Sequence, residues 1–436
     1  MKFTMIERLS IYFLLFLTLI LPDAYSQNST SSPFSIFGIG EIETRDFGRT
    51  AGIGDAGIGF QSQNHLNRRN PAALSGIDTL RFIIDVSAAM KISQFVTSSH
   101  NSRTNNFNFK SMAAGVRLTK RWTSSAGLVP YSSVGYSIED RQHGKNTLDA
   151  YKVTMFSGSG GVNKFYWANA FELFRGFSMG ITSSYLFGSI VHNEETETFY
   201  IKETNNISKI YFDFGMQYSH WFGEHTRVTV GGIYKYNSKF DIQRTLTVTS
   251  NIALEDNKRK PDLKSYLPET IGAGFSIVHN KRSAEWIFAA DYQFQNYSTK
   301  SIIKEFFATD SLNKLKYQAD KPLRHKNLTY TDNHIYNVGI QFTPNTKRPE
   351  NYFQIMRFQL GACYNRSYLK VSGYQVEDLS FSLGVGLPFN NSSYVNIAAN
   401  FGESRTGERG GITERYVLLS VNFSLIDRWF AKYQWN

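Results

Sequence analysis

From about residue 80 to the C-terminal end, the apolar residues of this chain switch on and off at every second position. That period belongs to strands with two chemically different faces. Between Asp378 and Leu387 one face reads Leu379, Phe381, Leu383, Val385, Leu387 and the other Asp378, Ser380, Ser382, Gly384, Gly386. The same dyad returns over residues 395–401, 417–425, 82–90, 210–218, 177–181 and 286–294. No apolar run after Leu21 reaches the 18 or so residues of a spanning helix. If the mature chain lives in lipid it does so as a closed barrel, since only helices and closed sheets satisfy every backbone amide there.

Alternation alone also fits a soluble sandwich, and two further features separate the cases. Tight connections near 120–121, 175–176, 223–224, 280–281 and 389–390 alternate with longer polar ones near 98–104, 140–149, 193–206, 241–264, 301–329 and 403–412. Short turns on one side and long loops on the other are the habit of outer-membrane barrels. Aromatics gather at strand ends, among them Trp122, Tyr131, Tyr136, Trp221, Phe222, Trp429 and Phe430, as interfacial girdles require. Asp85, Lys91, Asp213, Lys235 and Asp291 all fall on the phase opposite the apolar rows. The expectation is an all-β fold, a transmembrane antiparallel β-barrel of about 14 strands over residues 80–426, with residues 427–436 as a periplasmic-side tail.

The N-terminal end carries Lys2 and Arg8, an apolar run over 9–21, the breaker Pro22 and the small-residue end Ala24-Tyr25-Ser26. This reads as a secretory signal peptide, residues 1–26, cut before Gln27. One cysteine, Cys363, excludes a disulfide framework and a cysteine zinc cluster. The formal charge of +11 permits an anionic membrane surface as partner. No nucleic-acid-binding motif accompanies it.

Residues 27–79 do not alternate and are dense in glycine (Gly38, Gly40, Gly48, Gly52, Gly54, Gly57, Gly59), with apolar Phe34, Ile36, Phe37, Ile39 and Phe47 between. A barrel of about 14 strands encloses a lumen its own side chains do not fill, and an N-terminal plug, or hatch, is the economical use for this segment. Three runs carry a resemblance: S-P-F-S-I-F-G-I-G-E over 32–41, A-G-I-G-D-A-G-I-G over 51–59, and L-N-R-R-N-P-A-A-L-S-G-I-D over 66–78. They are similar to the hatch region of the FadL/TodX outer-membrane transporters, in the branch common in Bacteroidetes, with Asn70-Pro71-Ala72 matching the hatch motif. The C-terminal run over 414–430 is similar as well. The resemblance implies a fourteen-stranded barrel, a small plug, and a kinked strand that opens the wall sideways. Hydrophobic molecules such as long-chain fatty acids or aromatic hydrocarbons would then pass into the membrane.

A lateral exit answers a physical problem, because moving each CH2 from lipid into water costs about 0.8 kcal/mol. It needs a break in strand pairing, and glycine permits one. Ser157-Gly158-Ser159-Gly160-Gly161 interrupts the fourth expected strand. Gly158, Ser159, Gly160 and Gly161 are either that wall defect or an ordinary hairpin turn. Ligand binding is expected in an apolar, aromatic lumen near the plug. The spelling G-x-G-x-x-G at Gly52–Gly57 lacks the strand and helix a dinucleotide site needs. The nine histidines show no metal-ligand spacing, so neither catalytic residues nor a metal or cofactor are expected. The basic loop 300–326 reads as a solvated face, with contact to lipopolysaccharide phosphates as the alternative, and the expected partners are outer-membrane lipid, lipopolysaccharide and a hydrophobic small molecule. The rival reading is an adapter barrel gripping secretion-system proteins, as in type IX secretion.

Overall fold

The computed structural model describes residues 30–79, 81–98, 101–142, 152–250, 256–298, 328–346, 349–371, 373–389, 393–407 and 411–428. The signal peptide, the basic loop 300–326 and the tail beyond 428 lie outside the described residues. The strands are β1 (Glu41–Ile42), β2 (Arg81–Val96), β3 (Asn101–Arg117), β4 (Trp122–Gln142), β5 (Lys152–Phe174), β6 (Phe177–Glu195) and β7 (Phe199–Phe222). They continue with β8 (Thr226–Lys235), β9 (Ser238–Ser250), β10 (Asp256–Leu267), β11 (Glu269–Lys281), β12 (Ala284–Asn296), β13 (Leu328–Tyr330) and β14 (Asn333–Thr343). The last four are β15 (Arg357–Val371), β16 (Tyr374–Pro388), β17 (Tyr394–Arg405) and β18 (Thr413–Arg428).

Successive strands pair antiparallel, and β18 pairs with β2 from Thr413↔Val96 to Arg428↔Arg81, which closes the ring. β8 and β9 form one stave interrupted at Tyr236 and Asn237, β10 and β11 one interrupted at Pro268, and β13 and β14 one interrupted at Thr331 and Asp332. With β1 set aside, the wall is a closed antiparallel barrel of 14 staves.

The two faces are inverted relative to a soluble protein. Across β16 to β18, Ser380, Ser382, Asn400, Ser420 and Asn422 are buried, while Leu379, Phe381, Leu383, Phe401 and Leu419 are exposed. Phe381 is 59% exposed and its neighbour Ser380 1%. A continuous apolar exterior of this kind does not survive in water, and it matches the outward band of an outer-membrane barrel. Asp85, Asp213 and Asp291 point inward and are buried.

Two stretches expected as long loops, 193–206 and 241–264, are largely strand instead. β7 starts at Phe199, and β9 and β10 pair from Leu267↔Ser238 to Asp256↔Val248. Here the dyad changes phase: Phe240, Ile242, Leu246, Leu263 and Leu267 are buried, while Lys239, Asp241 and Gln243 are exposed. Ile207, Leu186, Ile190 and Val134 join Phe240, Ile242, Leu263 and Leu267 in one apolar cluster. The staves thus extend past the membrane band with an ordinary water-soluble polarity, and their polar outer face made them look like loops.

Residues 30–79 contain only β1 and three short 3-10 turns, Pro33–Ile36, Arg49–Ile53 and Pro71–Gly76. They bond to staves on every side: Ser35 to Gly135 of β4, Asn70 to Met216 of β7, Gly57 and Ile58 to Asp291 of β12, Arg49 to Gln341 of β14, and Arg45 to Asp378 of β16. A buried segment bonded around the full circumference lies inside the ring.

The reversed faces give an expected outcome. Leu383→Arg, at the middle of the outward apolar row Leu379, Phe381, Leu383, Val385 and Leu387, should lower folding stability in lipid vesicles by about 2–4 kcal/mol. Leu379→Arg, at the end of that row, should cost less. Urea titration of each variant in the same vesicles measures the difference.

Candidate functional site

Among the described residues, the junction where pairing stops and does not resume lies between β3 and β4. Their ladder runs only from Met112↔Leu128 to Arg117↔Thr123. On its other edge β3 stays paired with β2 out to Val96↔Asn101, and β4 stays paired with β5 out to Gln142↔Lys152. The stretch of β3 from Asn101 to Ser111 and that of β4 beyond Leu128 therefore face each other without a ladder. Both strands bulge at the parting point, with Lys110 the extra residue against β2 and Tyr131 the extra residue against β5. Pro130 sits there too, and a residue with no amide hydrogen belongs where a ladder ends.

The vacated edge of β4 is taken by the inner segment. In β1, Glu41 pairs with Ser133 and Ile42 with Ser132, and the Glu43 amide donates to the Tyr131 carbonyl. Ser35 Oγ donates to the Gly135 carbonyl and accepts from the Gly135 amide, while Ser132 Oγ donates to the Ile39 carbonyl. Gly40, at φ +94°, allows this approach, because a Cβ there would stand 2.5 Å from the Ser133 carbonyl oxygen. The same segment reaches β3 through Ser31 on Asn106 and through a Glu43–Lys110 ion pair of 2.7 Å.

Alternate residues of Glu41-Ile42-Glu43-Thr44-Arg45 then clamp the wall. Lys91 of β2 lies 3.2 Å from Glu41 and 2.8 Å from Glu414. Arg45 pairs with Asp378 at 3.1 Å and also bonds the Tyr416 hydroxyl, which donates to Asp378. Burial by itself pushes the Glu41 carboxyl up, but Lys91 and Lys110 outweigh it and hold it below its ordinary value. A cavity of about 170 Å³ is bordered by these groups together with Phe34, Phe47, Tyr297, Leu369 and Leu418. A second of about 150 Å³ shares residues 42–45, Phe47 and Lys110 with it and adds Arg68, Lys164 and Lys235. The lumen beside the segment is thus amphipathic, not the apolar pocket expected from the sequence. The apolar inward residues of β4 to β10 are packed against one another instead.

The Asn70-Pro71-Ala72 tripeptide is fully buried. Asn70 caps the turn Pro71–Gly76 by accepting from the Ala72 amide, and its Nδ2 donates to the carbonyls of Ile58 and Met216. Ser178 Oγ donates to the Ala72 carbonyl. The wall is cut away to receive it: a Cβ on Gly215 would stand 2.1 Å from Asn70 Oδ1, and one on Gly180 2.5 Å from the Ala72 nitrogen. The motif fastens the segment to β6 and β7, and Arg117 of β3 donates to the carbonyls of Ser75 and Ile77 at the end of the same turn.

At Gly158, Ser159, Gly160 and Gly161 the pairing is unbroken. β5 is in register with β4 and with β6 through all four. Gly160 has φ +100° and a Cβ there would meet the Ser189 carbonyl at 2.2 Å, while Gly158 lies under the Tyr136 ring. Glycine here serves close packing within a continuous strand, so neither the wall defect nor the hairpin turn is present at this run. The sequence signals for the loss of pairing between β3 and β4 are Pro130 in mid-strand and the alternating charges at 41–45.

Under the gap lies a knot of buried charge. Asp46 accepts from Arg68 and from Thr50, and its own amide donates to Asp55. Desolvation pushes the Asp55 carboxyl up to about 7, though Arg45 and Arg69 oppose it. His65 lies 3.9 Å from Asp46 with both ring nitrogens unpartnered, and burial pushes it down to about 3. Among the described residues no group of three or more His, Cys, Asp or Glu side chains is placed to hold a metal ion.

The BamG family profile matches residues 5–436. The chain belongs to the BamG family. No curated protein matches it in sequence. In structure it is similar to a Pseudomonas aeruginosa FadL homologue, with TM-score 0.55 and 11% identity over 90% of this chain and 99% of that one. It is similar also to the CymD monoaromatic hydrocarbon channel, with TM-score 0.52 and 14% identity over 89% and 98%. The Pseudomonas putida toluene transporter TodX gives TM-score 0.51 and 11% identity over 93% and 100%. At these identities the likeness is one of fold: this BamG-family chain has the FadL-type barrel, while its sequence family carries a different name.

Two outcomes follow from the seating of the segment. Asn70→Ala removes a cap, a change that costs about 0.5–2 kcal/mol, and the wall bonds with it; limited proteolysis should cut within 30–79 faster than in the parent. Asp55, whose pKa is raised above its unfolded value, contributes stability that is present below the ordinary carboxylate range and lost as pH rises through about 7. Asp55→Asn should therefore shrink the fall in protease resistance of the segment between pH 5 and pH 8.5.

Proposed function

We propose that this barrel is a passive channel of the Gram-negative outer membrane. It admits a small hydrophobic molecule bearing a polar head and releases it sideways between β3 and β4. The observation that carries this reading is the unpaired stretch of the two strands, backed by an amphipathic cavity and covered from within by residues 30–43. A long-chain carboxylate fits such a cavity, with its head near Lys91, Lys110 and Arg45 and its chain along Phe34, Phe47 and Leu418. Plain aromatic hydrocarbons bring no anion to compete for these cations and fit less well. The CymD monoaromatic hydrocarbon channel and the toluene transporter TodX, which share the fold, support small hydrophobic molecules as the class of cargo.

Release requires residues 35–43 to leave the edge of β4, since they occupy the opening. The inner segment acts as the plug in this reading: Asn70, Pro71 and Ala72 hold its far end on β6 and β7, and the near end swings. The ion pairs of Glu41, Glu43 and Arg45 with the wall are partly buried. A carboxylate arriving at Lys91 or Lys110 competes with Glu41 and Glu43 for the same cations, which couples cargo binding to loosening of the cover.

The test is uptake of radiolabelled fatty acids and of toluene by cells with and without the gene. A double variant Ile42→Cys/Ser132→Cys, in a Cys363→Ala background, locks β1 to its paired residue on β4. Oxidation should abolish the gene-dependent uptake of fatty acid and a reductant should restore it. Equal uptake with and without the gene for every compound, or full uptake through the locked barrel, rejects the reading.

A further inference from the structure

The outside of the barrel carries a second feature that a plain lipid-facing wall does not need. On the side where β2, β3 and β15 to β18 meet, a groove of about 730 Å³ opens on the outer face. Its floor is apolar and formed by Ile92, Leu379, Phe381, Phe401 and Val417. Phe381 and Phe401 belong to the exposed rows that face lipid. One residue step further toward the end with the longer connections, every outward position turns polar. Register places Arg103 opposite Gln94, Gln94 opposite Arg415, and Arg415 opposite Glu403. In the next row Arg405 is opposite Glu377, and Glu377 opposite Arg366.

Four guanidiniums and two carboxylates therefore stand in two neighbouring rows on adjacent staves, with a net charge of about +2. Arg415 bonds Glu403 at 2.9 Å, with side chains 67% and 40% exposed, and Arg366 lies 3.9 Å from Glu377. Exposed pairs of this kind bind weakly, so their guanidiniums remain open to a stronger anion. Arginine is the side chain that grips phosphate through two parallel N–H donors. The longer-connection end is the outward one in outer-membrane barrels, so the row lies at the headgroup level of the outer leaflet.

We propose that this groove is a binding site for a phosphate-bearing lipid of the outer leaflet. Its phosphates sit on Arg103, Arg405 and Arg415, and its acyl chains lie along Phe381, Phe401 and Val417. The occupant is fixed by two complementarities at once. The cationic row selects an anion, and the apolar floor continuous with the lipid-facing band selects a molecule already in the bilayer. A soluble protein does not reach a floor at membrane depth. The site is on the opposite face of the wall from the lumen cavities and does not depend on what the channel carries.

The full chain, purified in detergent, is titrated with a diphosphorylated, multiply acylated glucosamine disaccharide lipid, with its dephosphorylated form and with inorganic phosphate, and bound lipid is read by native mass spectrometry. Arg103→Gln/Arg405→Gln/Arg415→Gln should weaken retention of the phosphorylated lipid by roughly tenfold or more. The lysine counterpart, R103K/R405K/R415K, keeps the charge and should retain part of the binding. Arg259→Gln, an exposed arginine elsewhere, should change nothing. The dephosphorylated lipid should bind the parent as weakly as the phosphorylated lipid binds the triple glutamine variant. Migration before and after boiling verifies that each variant is a folded barrel. Undiminished retention by the glutamine variant overturns the proposal. Equal binding of the two lipids, displacement by millimolar phosphate alone, or a co-purifying protein occupying the face in place of lipid would do so as well.

Discussion

The structure turns on the demand that every backbone amide within lipid find a partner. Thirteen of the junctions between staves meet it with their own ladders, including the closing seam from β18 to β2. At the remaining junction β3 and β4 part after Leu128, and the chain supplies a substitute from its own leading segment. A two-residue strand, two serine hydroxyls and a glycine with positive φ together satisfy an edge that a neighbouring stave would otherwise cover. The substitute is held by charge pairs and side-chain bonds, not by a long ladder. Among the described residues it is the one place where the edge of a stave is covered by something other than another stave.

Seating the segment required the wall to give up side chains. Gly361 lies against Gly54, and Gly339 against Ile53, so closely that an added Cβ on either would stand 2.1–2.2 Å from backbone. Gly180 and Gly215 do the same for the tripeptide. Inward-facing glycine weakens a strand, and the loss is compensated by burying the segment's apolar residues Ile53, Ile58, Phe60, Leu66 and Leu74. Segment and wall are therefore two halves of one packing problem.

Much of this was legible in the sequence. The dyad over 378–387 and 417–425 assigned faces residue by residue because a slip of one position would move every side chain to the wrong solvent. The fourteen staves and the inward placement of Asp85, Asp213 and Asp291 followed from the same pattern. The stretches 199–206 and 241–264 did not, because beyond the bilayer the outside must be polar, and a polar-out strand with few apolar residues is spelled much like a loop. The end of the β3–β4 ladder is not spelled by glycine, for a different reason. Glycine at 157–161 can break a strand, but it also permits close packing, as it does under Tyr136. Proline at 130 removes a donor outright and is the stronger sign.

Asp85 ties three parts of the chain together. Its carboxylate accepts from the amide of Leu66 and from the hydroxyl of Ser424, so one side chain joins the inner segment, the first stave and the last. Those two staves lie hundreds of residues apart in sequence, and the seam between them is the one that closes the circle. With Leu66 displaced, that seam would hold a carboxylate lacking one of its two donors. The join of the ring and the seating of its occupant thus share a single carboxyl group.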